Sequence, residues 1–81
     1  MVVETFRQGA RPVYERFAER GRMLPSGVVF VESWVEEALG RCFQVMETAD
    51  PALLDAWMAE WTDLVDFEIV PLVDSAEAAR R

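Results

Sequence analysis

The sequence predicts an α+β domain of the ferredoxin-like kind: a four-stranded antiparallel sheet carrying two helices on one face, in the order strand-helix-strand-strand-helix-strand. Three observations predict it. Four stretches rich in β-branched and aromatic residues are interleaved with two stretches whose apolar residues recur at helical spacing. Their order doubles one strand-helix-strand unit within 81 residues. The strands are also largely apolar on both faces, although only two helices exist to cover them, so one sheet face needs a further cover. A second copy of the chain would supply it, giving a homodimer of the α+β-barrel kind.

The first strand is Met1 to Phe6, ended by Gln8-Gly9. Pro12 suits the first turn of a helix whose Val13, Tyr14 and Phe17 share one side, with Glu15, Arg16, Glu19 and Arg20 toward water and Gly21 as the stop. Arg22 to Gly27 reads as a loop by its Pro-Ser-Gly ending, with Met23 and Leu24 tucked over the core. Val28 to Val35 is the clearest strand. Glu36 to Gly40 turns into a third strand, Arg41 to Thr48, completing a hairpin. Asp50-Pro51 is a helix start, and Leu53, Leu54, Trp57, Met58, Trp61, Leu64 and Val65 form the apolar stripe of a helix running to about Leu64. Phe67 to Val73 reads as the fourth strand, where Pro71, lacking an N–H, marks a sheet edge or strand end. Residues 1–74 form the domain, and 75–81 are a short tail, frayed or helical.

Composition narrows the function classes. A formal charge of -7 disfavours nucleic acid and anionic membranes as partners. No apolar stretch approaches a membrane span, no basic-apolar leader precedes the first strand, and the single cysteine, Cys42, closes no intrachain disulfide, so a cytoplasmic protein is expected. Without histidine there is no Ser-His or Cys-His catalysis, and without lysine no Schiff base. No glycine-rich phosphate loop or dinucleotide fingerprint is present, and no cofactor is expected.

Alternation sorts each strand into two faces. Placing the more purely apolar set beneath the helices assigns Val3, Thr5, Val29, Val31, Phe43, Val45, Phe67 and Ile69 there. The opposite face then carries Val2, Glu4, Phe6, Phe30, Glu32, Trp34, Cys42, Gln44, Met46, Glu68, Val70 and Leu72. Each strand contributes one polar residue to this second face. If two such sheets enclose a barrel-like space, Glu4, Glu32, Gln44 and Glu68 line its interior, where crowded carboxyls raise one another's pKa.

Glu4, Glu32 and Glu68 are therefore the catalytic candidates. Glu4, Phe30, Glu32, Trp34, Arg41, Gln44, Met46, Glu68 and Leu72 are the ligand-contact candidates, with Arg22 and Arg41 able to meet a ligand carboxylate at the mouth. The plainer readings stand beside these. Edge-strand Glu residues often point to water, a one-residue slip reverses every side chain, Gln44 can be a hydrogen-bonded core amide, and Cys42 can be a small buried hydrophobe. Trp57 and Trp61, four apart, read as core packing. The Glu and Gln set offers hard oxygens, but no cation-loop spacing accompanies them, and no metal is assigned.

The pieces Arg20-Gly21-Arg22-Met23-Leu24-Pro25, Glu32-Ser33-Trp34-Val35, Gly40 through Thr48, and Trp61 through Glu68 resemble a family of short bacterial proteins known as a domain of unknown function. The resemblance covers nearly the whole chain and implies a small ferredoxin-like dimeric α+β barrel, without an activity to carry over. In fold alone it is similar to antibiotic-biosynthesis monooxygenases and muconolactone-isomerase-like enzymes, whose histidines are missing here.

Two function classes follow. In one, a homodimer binds a small, largely apolar or aromatic molecule between its two sheets, with a raised-pKa Glu available for cofactor-free proton transfer. In the other, the open sheet face is only a dimer or partner interface.

Overall fold

The computed structural model describes residues 1–81 as β1 (Val2–Phe6), α1 (Ala10–Arg20), β2 (Val28–Val35), β3 (Arg41–Thr48), α2 (Ala52–Met58), β4 (Val65–Ile69) and α3 (Ser75–Ala79). The four strands form one sheet in the order β2-β3-β1-β4, every neighbouring pair antiparallel. This is the ferredoxin-like α+β arrangement, and the β2-β3 hairpin has the bounds the sequence indicates.

Local chemistry sets most boundaries. Gly21 ends α1 with φ 68 and returns its N–H to the Phe17 carbonyl. The Asp50 carboxylate accepts from the Ala52 N–H at 3.0 Å just ahead of α2, whose N-terminal cap position is taken by Pro51. α2 is shorter than its apolar stripe suggests. After Met58 the chain tightens into turns bonded from Trp61 N–H to Met58 and from Leu64 N–H to Trp61, while Arg16 takes the Glu60 carbonyl at 2.9 Å. β4 begins at Val65 and ends at Ile69, earlier at both ends than the expected Phe67 to Val73. Met1 and Val70 exchange the last pair of backbone bonds before Pro71, so this proline does stand at the end of an edge strand.

The sheet faces correct the sequence assignment. Val2, Glu4 and Phe6, rather than Val3 and Thr5, lie beneath the helices, where Val2 and Phe6 join Val13, Cys42, Trp57, Trp61 and Val65 in the buried core. Register carries this across the sheet. Glu4 stands opposite Cys42 on β3 and Phe67 on β4, and Val2 stands opposite Gln44 and Ile69. The β4 assignment of Phe67 and Ile69 to the helix side therefore holds, while β1 and β3 are reversed. Both faces of those strands are apolar, so alternation fixes the period but not the phase.

β2 holds a second correction. Its register shifts between Phe30 and Glu32, leaving Val31 unpaired. Phe30, opposite Met46, is on the helix side. Glu32 and Trp34, opposite Val45 and Phe43, are on the open side, and Ser33 and Val35 turn in toward Gln44 and Cys42. Unbroken alternation would keep Phe30, Glu32 and Trp34 on one face.

The open face presents Val3, Val29, Trp34, Phe43 and Val45, with Trp34 54% and Val29 57% exposed. The chain is correspondingly thin, 17 Å in its shortest dimension. Its radius of gyration of 13.5 Å exceeds the about 12 Å expected of a compact chain this long. Its accessible surface of 5480 Å² exceeds the about 5,000 Å² expected for its mass. No helix is long and apolar enough to cross a membrane.

Candidate functional site

β1 is flanked by β3 and β4, so its midpoint is a well-shielded position on the sheet, and the side chain there is a carboxyl. Glu4 is 4% exposed. A buried charge needs a partner; here the Gln44 amide donates to Glu4 Oε2, and Gln44 Oε1 in turn accepts from Arg22 Nε at 2.9 Å. Arg22 also donates to Ser33 Oγ at 3.4 Å. Glu4, Gln44 and Arg22 thus form a chain of carboxyl, amide and guanidinium.

The guanidinium is held flat. Its carbon lies 3.8 Å from the centre of the Phe30 ring and 5.3 Å from that of Phe17. The backbone beneath it is held too. The indole N–H groups of Trp57 and Trp61 both donate to the Arg22 carbonyl, at 2.9 and 3.2 Å. Spacing of one helical turn brings both indoles to the same side of α2 and its following turn, and each buried N–H needs an acceptor. The next residue, Met23, has φ 60, a left-handed conformation uncommon outside glycine.

Glu4, Gln44, Arg22, Phe17, Trp57 and Trp61 line one pocket of about 260 Å³ between the sheet and the helices. Its apolar walls are Phe6, Val13, Tyr14, Phe17, Val35, Cys42, Trp57 and Trp61, and its polar end is Glu4, Gln44, Arg22 and Ser33. Tyr14 and Phe17 are 44% and 43% exposed, since α1 buries Val13 alone and leaves the sheet side of these rings facing the pocket. A dry cavity of about 150 Å³ accepts benzene. This pocket therefore suits a single substituted ring or a compact bicycle.

Burial pushes the Glu4 carboxyl up to about 7, against the opposing pull of Arg22. Near neutral pH it can therefore either give or accept a proton. Cys42 goes the other way in usefulness: burial, with Glu4 nearby, raises its thiol to about 11, so it stays protonated and inert.

The candidates named from the sequence divide between the two faces. Glu4 and Gln44 come together beneath the helices, with Phe30 and Met46 on the same side. Glu32, Trp34, Arg41 and Glu68 lie on the open side, where Glu32 accepts from the Ser33 N–H at 3.0 Å and Arg41 bonds Glu36 at 3.2 Å. Leu72 lies beyond the sheet and is 57% exposed. Arg22, expected at the mouth, is part of the polar end itself. Sequence reasoning missed Tyr14, Phe17, Ser33, Trp57 and Trp61 as pocket walls. The available signal was the paired tryptophans, whose polar N–H groups need acceptors wherever the rings are buried. The side chains form no cluster of three His, Cys, Asp or Glu suited to a metal ion.

The family model described as "Domain of unknown function (DUF3303)" matches residues 1–81, and the chain belongs to that family. No curated protein and no solved structure matches it significantly.

Proposed function

We propose that this DUF3303 chain works as a homodimer in which each protomer binds a small, largely apolar molecule between its own sheet and helices, with Glu4 transferring a proton to or from it. The observation that carries this reading is a buried carboxyl with a pKa of about 7 at the end of an otherwise apolar pocket of about 260 Å³. A general acid or base works best when its pKa lies near the working pH, and it needs neither metal nor nucleophile. Gln44 orients the carboxyl, and the aromatic walls shed water from the bound ring.

Dimerisation draws on the open face, where Val3, Val29, Trp34, Phe43 and Val45 stand among Glu32, Arg41, Glu47 and Glu68, and where large exposed apolar side chains mark an interface. A second copy is the favoured occupant because the chain is thin and exposes more surface than its mass requires. In this arrangement the ligand sites lie outside the seam between the sheets, one per protomer.

Thermal-shift titration with phenol, indole and 2-tetralone tests the pocket. The expected result is a concentration-dependent rise in Tm for wild type that Val13→Trp, which fills the pocket, abolishes. Deuterium uptake by 2-tetralone should be faster with wild type than with Glu4→Gln. A Tm unmoved by every compound would remove the ligand-binding reading and leave the open face as an interface only.

A further inference from the structure

The charge at the polar end of this pocket narrows the kind of molecule it takes. The chain has 15 carboxylates against eight arginines, and Arg7, Arg11, Arg16, Arg41 and Arg81 each lie within 4.0 Å of a carboxylate oxygen. Arg22 does not. It is half-buried and lines the pocket, and both of its hydrogen-bond acceptors, Gln44 and Ser33, are neutral. A guanidinium has five N–H donors in a planar fork, and only two of these are used. The remainder meet no acceptor on the protein.

Such a group is pre-organised for an anionic oxygen. Phe30 and Phe17 hold its plane, the two indoles hold its backbone, and Gln44 holds its Nε, so little rotamer freedom is left to lose on binding. Resting on the ligand-pocket reading above, we infer that the molecule bound is a single-ring compound carrying one anionic oxygen group, a carboxylate or an acidic enol, seated on Arg22 with its ring against the aromatic walls.

Glu4 makes the same choice depend on pH. The charged or titratable groups facing it are Arg22 from the loop, Cys42 from β3 and Tyr14 from α1; α2 and its following turn offer Trp57 and Trp61, and β4 offers Phe67, all uncharged. With Glu4 protonated, Arg22 is the only charge in the pocket and one anion neutralises it. With Glu4 ionised, its carboxylate already offsets Arg22 and opposes a second anion beside it. Binding the anion therefore takes up a proton at Glu4 as pH rises through its pKa of about 7.

Calorimetric titration with benzoate and its uncharged isostere benzamide tests this, with indole as the apolar control. At pH 6, wild type is expected to bind benzoate at least tenfold more tightly than benzamide, and Arg22→Met to bring the two within about twofold. Above pH 7, benzoate affinity should fall about tenfold per pH unit. Glu4→Gln should flatten that dependence, and benzamide should show none. The wild-type comparison decides the matter even if Arg22→Met does not fold. Benzoate binding no tighter than benzamide would overturn the inference. If indole and benzamide bind and benzoate does not, the pocket stands and the anion assignment falls; if none of the three binds, both fall.

Discussion

The indole N–H of Trp57 donates to the backbone carbonyl of Arg22 at 2.9 Å, joining residues 35 apart in the chain. Trp61 reaches the same oxygen at 3.2 Å. One carbonyl thereby ties α2 and its following turn to the loop that carries the pocket's cation. Removing one donor leaves the oxygen satisfied, whereas removing both strands it in a half-buried setting. Trp57→Phe is expected to cost about 1 kcal/mol beyond any packing loss, and the double replacement with Trp61→Phe to exceed the sum of the single effects by about 1 kcal/mol. Urea denaturation of the four chains in a double-mutant cycle measures that excess; strict additivity would mean the shared carbonyl couples nothing.

Glu4 sets a pH dependence of stability whose sign is fixed. Its carboxyl rises from an ordinary value of 4.5 to about 7 in the folded chain, which therefore binds the proton more tightly than the unfolded one. The associated stability is fully present below about pH 4.5 and is lost as pH rises through about 7. It amounts to at most about 3 kcal/mol. Glu4→Gln keeps the hydrogen-bonding shape without the charge, and should be more stable than wild type at pH 8 while converging on it at pH 5. Thermal unfolding across that range reads the difference; parallel curves for the two chains would show that Glu4 does not titrate there.

Trp34 stands opposite Phe43 on the open sheet face, 54% exposed, and Arg41 lies over the Phe43 ring at 5.3 Å. If a second copy covers this face, Trp34→Glu puts a charge against an apolar partner and should weaken self-association by at least tenfold while leaving the pocket's ligands bound. Sedimentation equilibrium over a hundredfold concentration range gives the mass. A wild-type monomer throughout would turn attention to a different partner for the face.

Arg16 and Asp63 form a paired contact, both bonds 2.7 Å, that ties α1 to the turn before β4. The hydrogen bond from Arg16 holds the Asp63 carboxyl down at about 2, against an ordinary value of 3.8. Its contribution is present above about pH 3.8 and is lost as the pH falls through about 2. Arg16→Met should therefore lower the Tm at pH 7 and narrow the gap to wild type on acidification below pH 3. Because Asp63 is exposed, the effect should also shrink in 1 M salt.

Gly27 has φ 94, and a Cβ there would sit 2.9 Å from Leu53 Cδ1. The left-handed backbone weighs more than the contact, because a leucine methyl can move. Gly27→Ala should destabilise by about 1–2 kcal/mol. Adding Leu53→Ala should not restore the loss; full restoration would assign it to the clash instead.

Sequence by itself determined the period and order of the elements. Gly21, Asp50-Pro51 and Pro71 announced their boundaries through backbone chemistry that acts within a few residues, and the hairpin strands were legible for the same reason. It also singled out Glu4 and Gln44 as polar residues in apolar strands. Only the tertiary structure decided which way those strands face. A period of two fixes which side chains share a side of one strand, and when both sides are apolar nothing local chooses the inner one. The choice fell to the bonds from Gln44 to Glu4 and from Arg22 to Gln44, which let a carboxyl be buried beneath two tryptophans. Likewise, the register shift at Val31 depends on how β2 pairs with β3, and it moved Glu32 and Trp34 away from Phe30. The site is thus assembled from contacts between residues far apart in the chain, whose geometry no single segment contains.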